Sequence, residues 1–319
     1  MDWVTTLGQL VNTTLVFSTA LIFAALGGIF SERSGVTNIG IEGLMTFGAF
    51  SAAIATYYAD QAGMGAGAPW VGLIAAIITG IIASLIHALA SITFKADQII
   101  SGIVINFLAA GSTLYLVKLI FNGNGETPLL KVVSKYPIPG LSQIPIIGEG
   151  LFNNYPTTYL AIILVFVAYY VLYKTPFGLR LRSVGEHPSA ADTVGINVRR
   201  MRYIGVMISG ALAALGGATV TLTTTSTFAH NTISGQGFIA IAAMIFGKWN
   251  PIGAFGAAAF FGFSQAIRSY VTLFSWSSHI PMEFIYMLPY VLTIIVLVAA
   301  VGRSSAPSAL GQPYDPGKR

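Results

Sequence analysis

The chain has 319 residues, of which 55% are hydrophobic and only 8% are charged. Because soluble domains carry about 25% charged residues, this composition excludes a soluble fold and favours a protein whose surface meets lipid. The net charge is +5, but the basic residues lie between apolar runs, which argues against nucleic-acid binding. Cysteine is absent, which excludes disulfides, thiol nucleophiles and cysteine metal sites, and the four histidines show no ligand spacing.

The apolar runs predict an all-α fold, a polytopic membrane helical bundle over residues 1–303. The sequence begins Met1-Asp2-Trp3-Val4 without the basic region of a signal peptide, so the first run is expected to be a retained membrane helix. A hydrocarbon core about 30 Å thick requires about 20 apolar residues in a helix. This length predicts about nine spans, with eight or ten as alternatives, near residues 10–30, 36–58, 70–93, 97–121, 157–174, 201–225, 234–248, 252–274 and 281–302.

Two of the predicted spans have features of broken helices. The span 234–248 is short and could be a half-helix or a re-entrant element. The span 36–58 contains Asn38, Glu42 and several glycines, so it is also expected to be interrupted.

The positive charges predict the orientation. Cytoplasmic loops are enriched in Lys and Arg. Alternating nine spans places twelve of the sixteen basic residues on one side: Arg33, Lys95, Lys174, Arg180, Arg182, Arg199, Arg200, Arg202, Lys248, Arg303, Lys318 and Arg319. We therefore predict a multi-pass protein of the cell membrane with an external N-terminus and a cytoplasmic C-terminus.

Three polar segments lie outside the predicted spans. Residues 122–156 contain five prolines and predict an ordered external loop with a short helix. Residues 175–200 form a cytoplasmic loop that mixes charged and apolar residues. Residues 304–319 contain three prolines and little apolar sequence, which predicts a disordered cytoplasmic tail.

The loop 175–200 contains the start and stop signals of a short helix. Pro188 is of the type tolerated in a first turn, and Gly195 is typical of a helix end. These residues predict about two helical turns, tied at both ends to membrane spans. Such a helix suits docking into a partner's groove, whereas the alternative is a solvated connecting loop.

The sequence Ser189-Ala190-Ala191, followed by Gly195, is similar to the coupling segment of ABC importer permeases, whose loose signature is Glu-Ala-Ala-x-x-x-Gly. Here serine replaces the glutamate. The longer stretch 178–196 resembles the branch that includes ribose and nucleoside permeases. The resemblance implies a coupling helix that docks on a separate ABC ATPase. The residues it implies for this coupling are Gly185, Glu186, Ser189, Ala190, Ala191 and Gly195.

The stretch 30–43 resembles bacterial nucleoside-type permeases that work with a basic membrane lipoprotein as receptor, and it differs from ribose permeases. The resemblance covers nearly the whole chain, including the glycine-rich block 247–262. It implies a heterodimer with a second related permease, a substrate-binding lipoprotein, a nucleoside substrate and surrounding membrane lipid. A ribose or other simple-sugar permease is the alternative.

Polar residues inside the predicted spans are candidates for a substrate pathway. A charged residue at mid-bilayer costs about 2.5–3.5 kcal/mol on insertion scales, so Glu42 is expected to face a cavity or a partner. If the segment is helical, Asn38 lies one turn earlier on the same face. The alternative for each residue is a hydrogen bond between helices. The candidates for the pathway are Asn38, Glu42, Gln98, Asn106, Thr223 and Gln236. Asp97 is expected to start the helix that follows it.

Sequence motifs for catalysis are missing. The chain contains neither a P-loop nor a His-Glu-x-x-His sequence, so no cofactor is expected in this chain and it is not expected to be an enzyme. Energy must come from a separate subunit, where a partner ATPase binds ATP, or from an ion gradient. An ion-coupled secondary transporter, with Glu42 as the titrating group, and a membrane scaffold are therefore retained as alternatives.

Overall fold

The computed structural model describes residues 3–142, 144, 146–271 and 305–315, together with the single residues 284, 287 and 291. Its long helices are α1 Trp3–Arg33, α2 Ile41–Gln61, α3 Ala68–Ala88, α4 Gln98–Ile120, α6 Pro156–Lys174, α9 Val198–Thr219 and α11 Pro251–Val271. Its short helices are α5 Ile147–Phe152, α7 Pro176–Glu186, α8 Pro188–Thr193 and α10 Gln236–Phe246. The two strands, β1 Tyr136–Pro137 and β2 Asn153–Asn154, pair antiparallel. The all-α fold class is confirmed.

Wider helical turns extend two of the long helices. The extensions are Leu89–Thr93 after α3 and Val220–Thr225 after α9. Five helical stretches in the described part of the chain are long and apolar enough to cross a membrane: Thr6–Arg33, Gly65–Thr93, Gln98–Ile120, Pro156–Lys174 and Val198–Thr225. The number of about nine spans stays a prediction, and the predicted span 281–302 lies outside the continuously described residues.

Helices α1 and α9 form the centre of the bundle. In their most apolar windows, 78% of α1 and 72% of α9 residues are buried, against 22% in α4 and 33% in α6. Helix α1 packs against α9 and α11, and α9 packs against α2 and α3. Helices α4 and α6 are therefore peripheral, and their outer faces are left for lipid or for a partner.

Small residues allow the central helices to approach closely. A Cβ atom on Gly217 of α9 would overlap the Met45 carbonyl of α2. Gly210 of α9 and Gly80 of α3 face each other in the same way, each against the other's carbonyl. These positions exclude larger side chains, because the helix backbones themselves are in contact.

The predicted loop 122–156 is ordered by contacts with the bundle. It contains the predicted short helix, α5, and both strands. The Asn12 side chain of α1 donates to the Glu149 carbonyl at 3.0 Å and to the Asn153 carbonyl at 2.8 Å. Residues 127–133 donate backbone hydrogen bonds to carbonyls between Leu222 and Phe228. The loop therefore covers one end of α1 and of α9.

Basic residues gather at the opposite end of the bundle, which we call the Arg33 end. Arg33 contacts Tyr173 of α6 and the carbonyls of Lys248 and Trp249 after α10. Lys95 pairs with Asp315 at this end, at 2.9 Å. This grouping agrees with the predicted partition of charge, and the assignment of the Arg33 end to the cytoplasm stays a prediction.

The tail segment, residues 305–315, differs from the predicted disorder, because it binds the Arg33 end. Ala309 N–H donates to the Gly185 carbonyl at 2.9 Å, and Gly311 N–H donates to the Gly35 carbonyl at 3.2 Å. Ala309 is only 4% exposed. The segment has few apolar residues, yet its backbone N–H groups find fixed carbonyl acceptors, which composition alone does not reveal.

Candidate functional site

The connection between α1 and α2, which we call the α1–α2 turn, comprises residues 34–40. The predicted span 36–58 begins later than expected, at Ile41, and α2 then continues without a break to Gln61, so the predicted interruption is not observed. Two predicted pathway residues of α4 hydrogen-bond its non-helical backbone. Gln98 Oε1 accepts from Thr37 N–H at 2.7 Å. Asn106 Nδ2 donates to the Ile39 carbonyl at 3.1 Å.

Asn106 also reaches the start of α2. Its Oδ1 accepts from Gly43 N–H at 2.7 Å. Irregular backbone within a membrane protein requires such internal partners, because lipid provides none. The two α4 amides, Gln98 and Asn106, therefore hold the α1–α2 turn in place, which is the interhelical alternative from the sequence.

Asn38 and Glu42 do not share a helix face, contrary to the prediction. It precedes the start of α2, so the spacing of one helical turn does not apply. Its Nδ2 donates to Ser209 Oγ of α9 at 3.0 Å, and the side chain is 1% exposed. Its Oδ1 and the Nε2 of Gln98 are buried atoms without a protein partner.

Glu42 binds the start of the half-helix α10. Its Oε1 accepts from Gly235 N–H and its Oε2 from Gly237 N–H, both at 2.6 Å. The first N–H groups of a helix have no partner within the helix, and the helix dipole favours negative charge there. The carboxylate thus joins α2 to α10 across 193 positions of sequence.

The other two predicted pathway residues lie in different places. Gln236 is the first residue of α10, between the two glycines that bind Glu42, and its side chain is half-buried. Thr223 lies in the wide turn after α9, where its hydroxyl donates to the Thr219 carbonyl at 2.7 Å. The structure therefore brings Glu42 and Gln236 together, and it leaves Thr223 near the loop 122–156.

The short helix predicted between Pro188 and Gly195 is present as α8, and its role in coupling stays a prediction. It begins at Pro188 and ends at Thr193, and Gly195 after it has a φ of +82°, as its role at a helix end requires. A second helix, α7, precedes it and was not predicted. Thr175 accepts from Gly178 N–H at the start of α7, and Pro176 is its first residue. This threonine–proline pair is a start signal that the sequence contains.

The six predicted coupling residues divide into two groups. Ser189, Ala190 and Gly195 are exposed, whereas Ala191 is only 3% exposed. Ala191 thus packs inward, and Ala190 is the alanine of this pair that an outside partner can reach.

Gly185 and Glu186 face the α1–α2 turn and the tail segment. Glu186 Oε2 accepts from the backbone N–H of Ser308 at 3.1 Å and from its hydroxyl at 2.9 Å. Glu186 Oε1 also lies 4.0 Å from an Arg33 guanidinium nitrogen. These two predicted coupling residues therefore connect the loop to the bundle and to the tail segment.

A depression of about 650 Å³ lies beside α8. It is lined by apolar and basic side chains, including Leu179 of α7, Val194 after α8 and Arg200 of α9. Leu179 and Val194 are 62% and 75% exposed.

Within the described residues, no cluster of three His, Asp or Glu side chains could hold a metal ion.

Comparison with known proteins connects this arrangement to transport. The sequence profile of the family described as "branched-chain amino acid transport system / permease component" matches residues 10–297. The guanosine ABC transporter permease protein NupQ of Bacillus subtilis is 52% identical over 100% of both chains. The nucleoside ABC transporter permease protein NupC of Lactococcus lactis is 43% identical over 98% of this chain and 99% of its own.

A third relative, TsgC13 of Haloferax volcanii, is proposed to be a glucose ABC transporter permease protein. It is 32% identical over 96% of this chain and 97% of its own. No solved structure matches this chain.

Proposed function

The chain belongs to the family of permease components described for branched-chain amino acid transport, and we propose that it carries nucleosides across the cell membrane as one subunit of an ABC importer. The chain is a multi-pass membrane permease and a transport component, not itself an enzyme. The observation that supports nucleosides is the 52% identity over the full length to a guanosine permease. Identity to the proposed glucose permease is lower, at 32%.

The proposed importer contains three further proteins. A separate ABC ATPase binds ATP and supplies the energy, a second related permease completes a heterodimer, and a substrate-binding lipoprotein delivers the nucleoside on the external side. The exposed α8 and the apolar, basic depression beside it support the ATPase contact. The peripheral positions of α4 and α6 leave apolar surface for the second permease and for lipid.

The proposed pathway passes the start of α10. This half-helix is too short to cross the membrane. Its first residue, Gln236, lies within the bundle, next to the glycines that bind Glu42. Irregular backbone at membrane depth is tolerated where it lines a cavity or is buried in protein. In this proposal the Arg33 end, with α8 and the tail segment, faces the cytoplasm.

Uptake by the assembled importer tests the proposal. Cells without their own nucleoside uptake, expressing this chain with its ATPase, second permease and lipoprotein, should accumulate labelled guanosine. Excess unlabelled nucleoside should compete, whereas ribose and glucose should not. Uptake should stop when ATP is depleted and should survive collapse of the ion gradient. Competition by sugars would favour the sugar permease, and the opposite energy dependence would favour an ion-coupled transporter.

The ATPase contact is tested at Ala190. Because this residue is exposed on α8, Ala190→Glu should place a charge in the contact and reduce both uptake and co-purification of the ATPase by about tenfold or more. Ala190→Ser, at the same position, should keep both. If Ala190→Glu retains the ATPase and full uptake, α8 is not the coupling helix.

A further inference from the structure

The half-helix α10 is bound at both ends by residues that flank the α1–α2 turn. At 1.5 Å per residue, its 11 residues extend about 16 Å, roughly half of a hydrocarbon core. At its start, the N–H groups of Gly235 and Gly237 bind the Glu42 carboxylate. This contact holds the end of α10 that lies inside the bundle.

At the other end of α10, the residues that follow it bind the last turn of α1. Trp249 Nε1 donates to Glu32 Oε2 at 2.6 Å. Arg33 donates to the carbonyls of Trp249 and Lys248, at 3.2 and 3.3 Å. Lys248 and Trp249 have φ values of +56° and +53°, a backbone conformation that residues other than glycine adopt only at a cost in free energy. The contacts with α1 hold them there.

The last turn of α1 also contacts the loop that contains α8. A Cβ atom on Gly185 would overlap the Arg33 carbonyl, so the loop backbone lies directly on the end of α1. The tail segment binds the Gly185 carbonyl and Glu186 of this loop, and it also binds the Gly35 carbonyl of the α1–α2 turn. It therefore connects the loop to the α1–α2 turn. A continuous series of contacts thus runs from the loop 175–200, through the α1–α2 turn, to α10.

We infer that Glu42 is a positioning residue for transport: its carboxylate ties the start of α10 to α2, so that movement of the loop 175–200 reaches α10 through the α1–α2 turn. This inference rests on the proposed function. Each carboxylate oxygen accepts an N–H group at the start of α10, so Glu42 is placed to act on the pathway through α10. Hydrogen bonds to an ionised acceptor are about twice as strong as neutral ones, which suits a contact that must transmit movement.

Glu42→Gln is the first test. The amide keeps the shape and one acceptor, but its NH₂ group opposes the second glycine N–H. In the assembled importer, we expect guanosine uptake at saturation to fall about tenfold, the size expected for losing one charge-assisted hydrogen bond. The concentration for half-maximal uptake should stay within about twofold, and ATP hydrolysis should continue, so that less nucleoside enters per ATP. Glu42→Asp, which keeps the charge, should recover part of the uptake.

Gly237→Ala tests the same contact from the other side. A Cβ atom there would lie 2.5 Å from Glu42 Cα, so α10 must move away from α2. We expect the same loss of uptake per ATP as for Glu42→Gln. Gly256→Ala is the matched control, because this helical glycine of α11 has no atom within 4 Å of the added Cβ. It should transport normally. Gly237→Ala therefore also provides the test if Glu42→Gln does not fold.

The outcomes separate this inference from the proposed function. If the unaltered chain takes up no nucleoside, the proposed function fails. If the unaltered chain transports, and Glu42→Gln and Gly237→Ala both transport with normal uptake per ATP, only the role of Glu42 fails. A rise in the half-maximal concentration with unchanged maximal uptake would also overturn it, because that result places Glu42 on the substrate.

Discussion

Glu32, at the end of α1, is a carboxylate that is only 6% exposed and accepts the Trp249 indole N–H at 2.6 Å. A buried carboxylate is costly unless hydrogen bonds compensate it. The residue next to it, Arg33, donates to the carbonyls of two successive residues, Lys248 and Trp249. One acidic and one basic side chain therefore hold the connection between α10 and α11, and neither depends on a partner of opposite charge alone.

Trp249→Phe should destabilise the protein, because it removes the indole donor and leaves the Glu32 carboxylate buried with one partner fewer. We expect a loss of about 2 kcal/mol, seen as a lower unfolding temperature in detergent. Trp70→Phe is the matched control, since Trp70 of α3 is 48% exposed and should change little. Equal unfolding temperatures for the two variants would contradict the role assigned to the indole.

Residue chemistry could be predicted from the sequence where the partner is local. Asp97 was expected to start a helix, and it accepts the N–H groups of Ile99 and Ile100 at the start of α4. The partners of Glu42 could not be predicted, because they follow 193 and 195 residues later. The sequence suggested only that this carboxylate needed either a cavity or a partner.

At the scale of elements, the central helices depend on backbone contacts at glycine. Gly217→Ala should force α9 and α2 apart, because the added methyl group overlaps the Met45 carbonyl. We expect about 1–3 kcal/mol of destabilisation, measured as reduced thermal stability and reduced yield of folded protein. In α4, Gly111→Ala meets no atom within 4 Å and should be neutral or slightly stabilising. If both variants are equally stable, the α9–α2 contact is looser than described.

The helices themselves could be largely predicted, since apolar length determines which segments enter a bilayer and proline and glycine limit them. Pro188 and Gly195 correctly indicated α8. The unpredicted helix α7 mixes charges with apolar residues, so hydropathy alone does not distinguish it from a loop. Its start signal, Thr175 followed by Pro176, is only two residues long and does not by itself predict a helix.

At the scale of the whole molecule, the tail segment connects elements that are distant in sequence. It reaches the loop 175–200 through Gly185 and Glu186, and the α1–α2 turn through Gly35. Gln312 accepts from Arg202, whose side chain is only 1% exposed, at 2.9 Å. The segment therefore also covers a buried guanidinium group of α9.

Deletion of residues 305–319 should loosen the loop 175–200, because the loop loses its hydrogen bonds to Ser308 and Ala309. We expect faster proteolysis within this loop, by about tenfold, and a lower unfolding temperature, while the chain still inserts in the membrane. Lys95→Asn removes only one side of a partly exposed ion pair and should have little effect. An unchanged rate of proteolysis after the deletion would show that the loop is held by the bundle alone.

The docking of the tail segment also has a consequence for how the protein is made. Membrane chains are inserted as they are synthesised, and their N-terminal parts fold first. Residues 305–315 are synthesised after every helix from α1 to α11. Until then, the Gly185 and Gly35 carbonyls and the Arg202 guanidinium lack their hydrogen bonds to this segment. The hydrogen bonds that fix the loop 175–200 to the tail segment therefore form only after this segment has been synthesised.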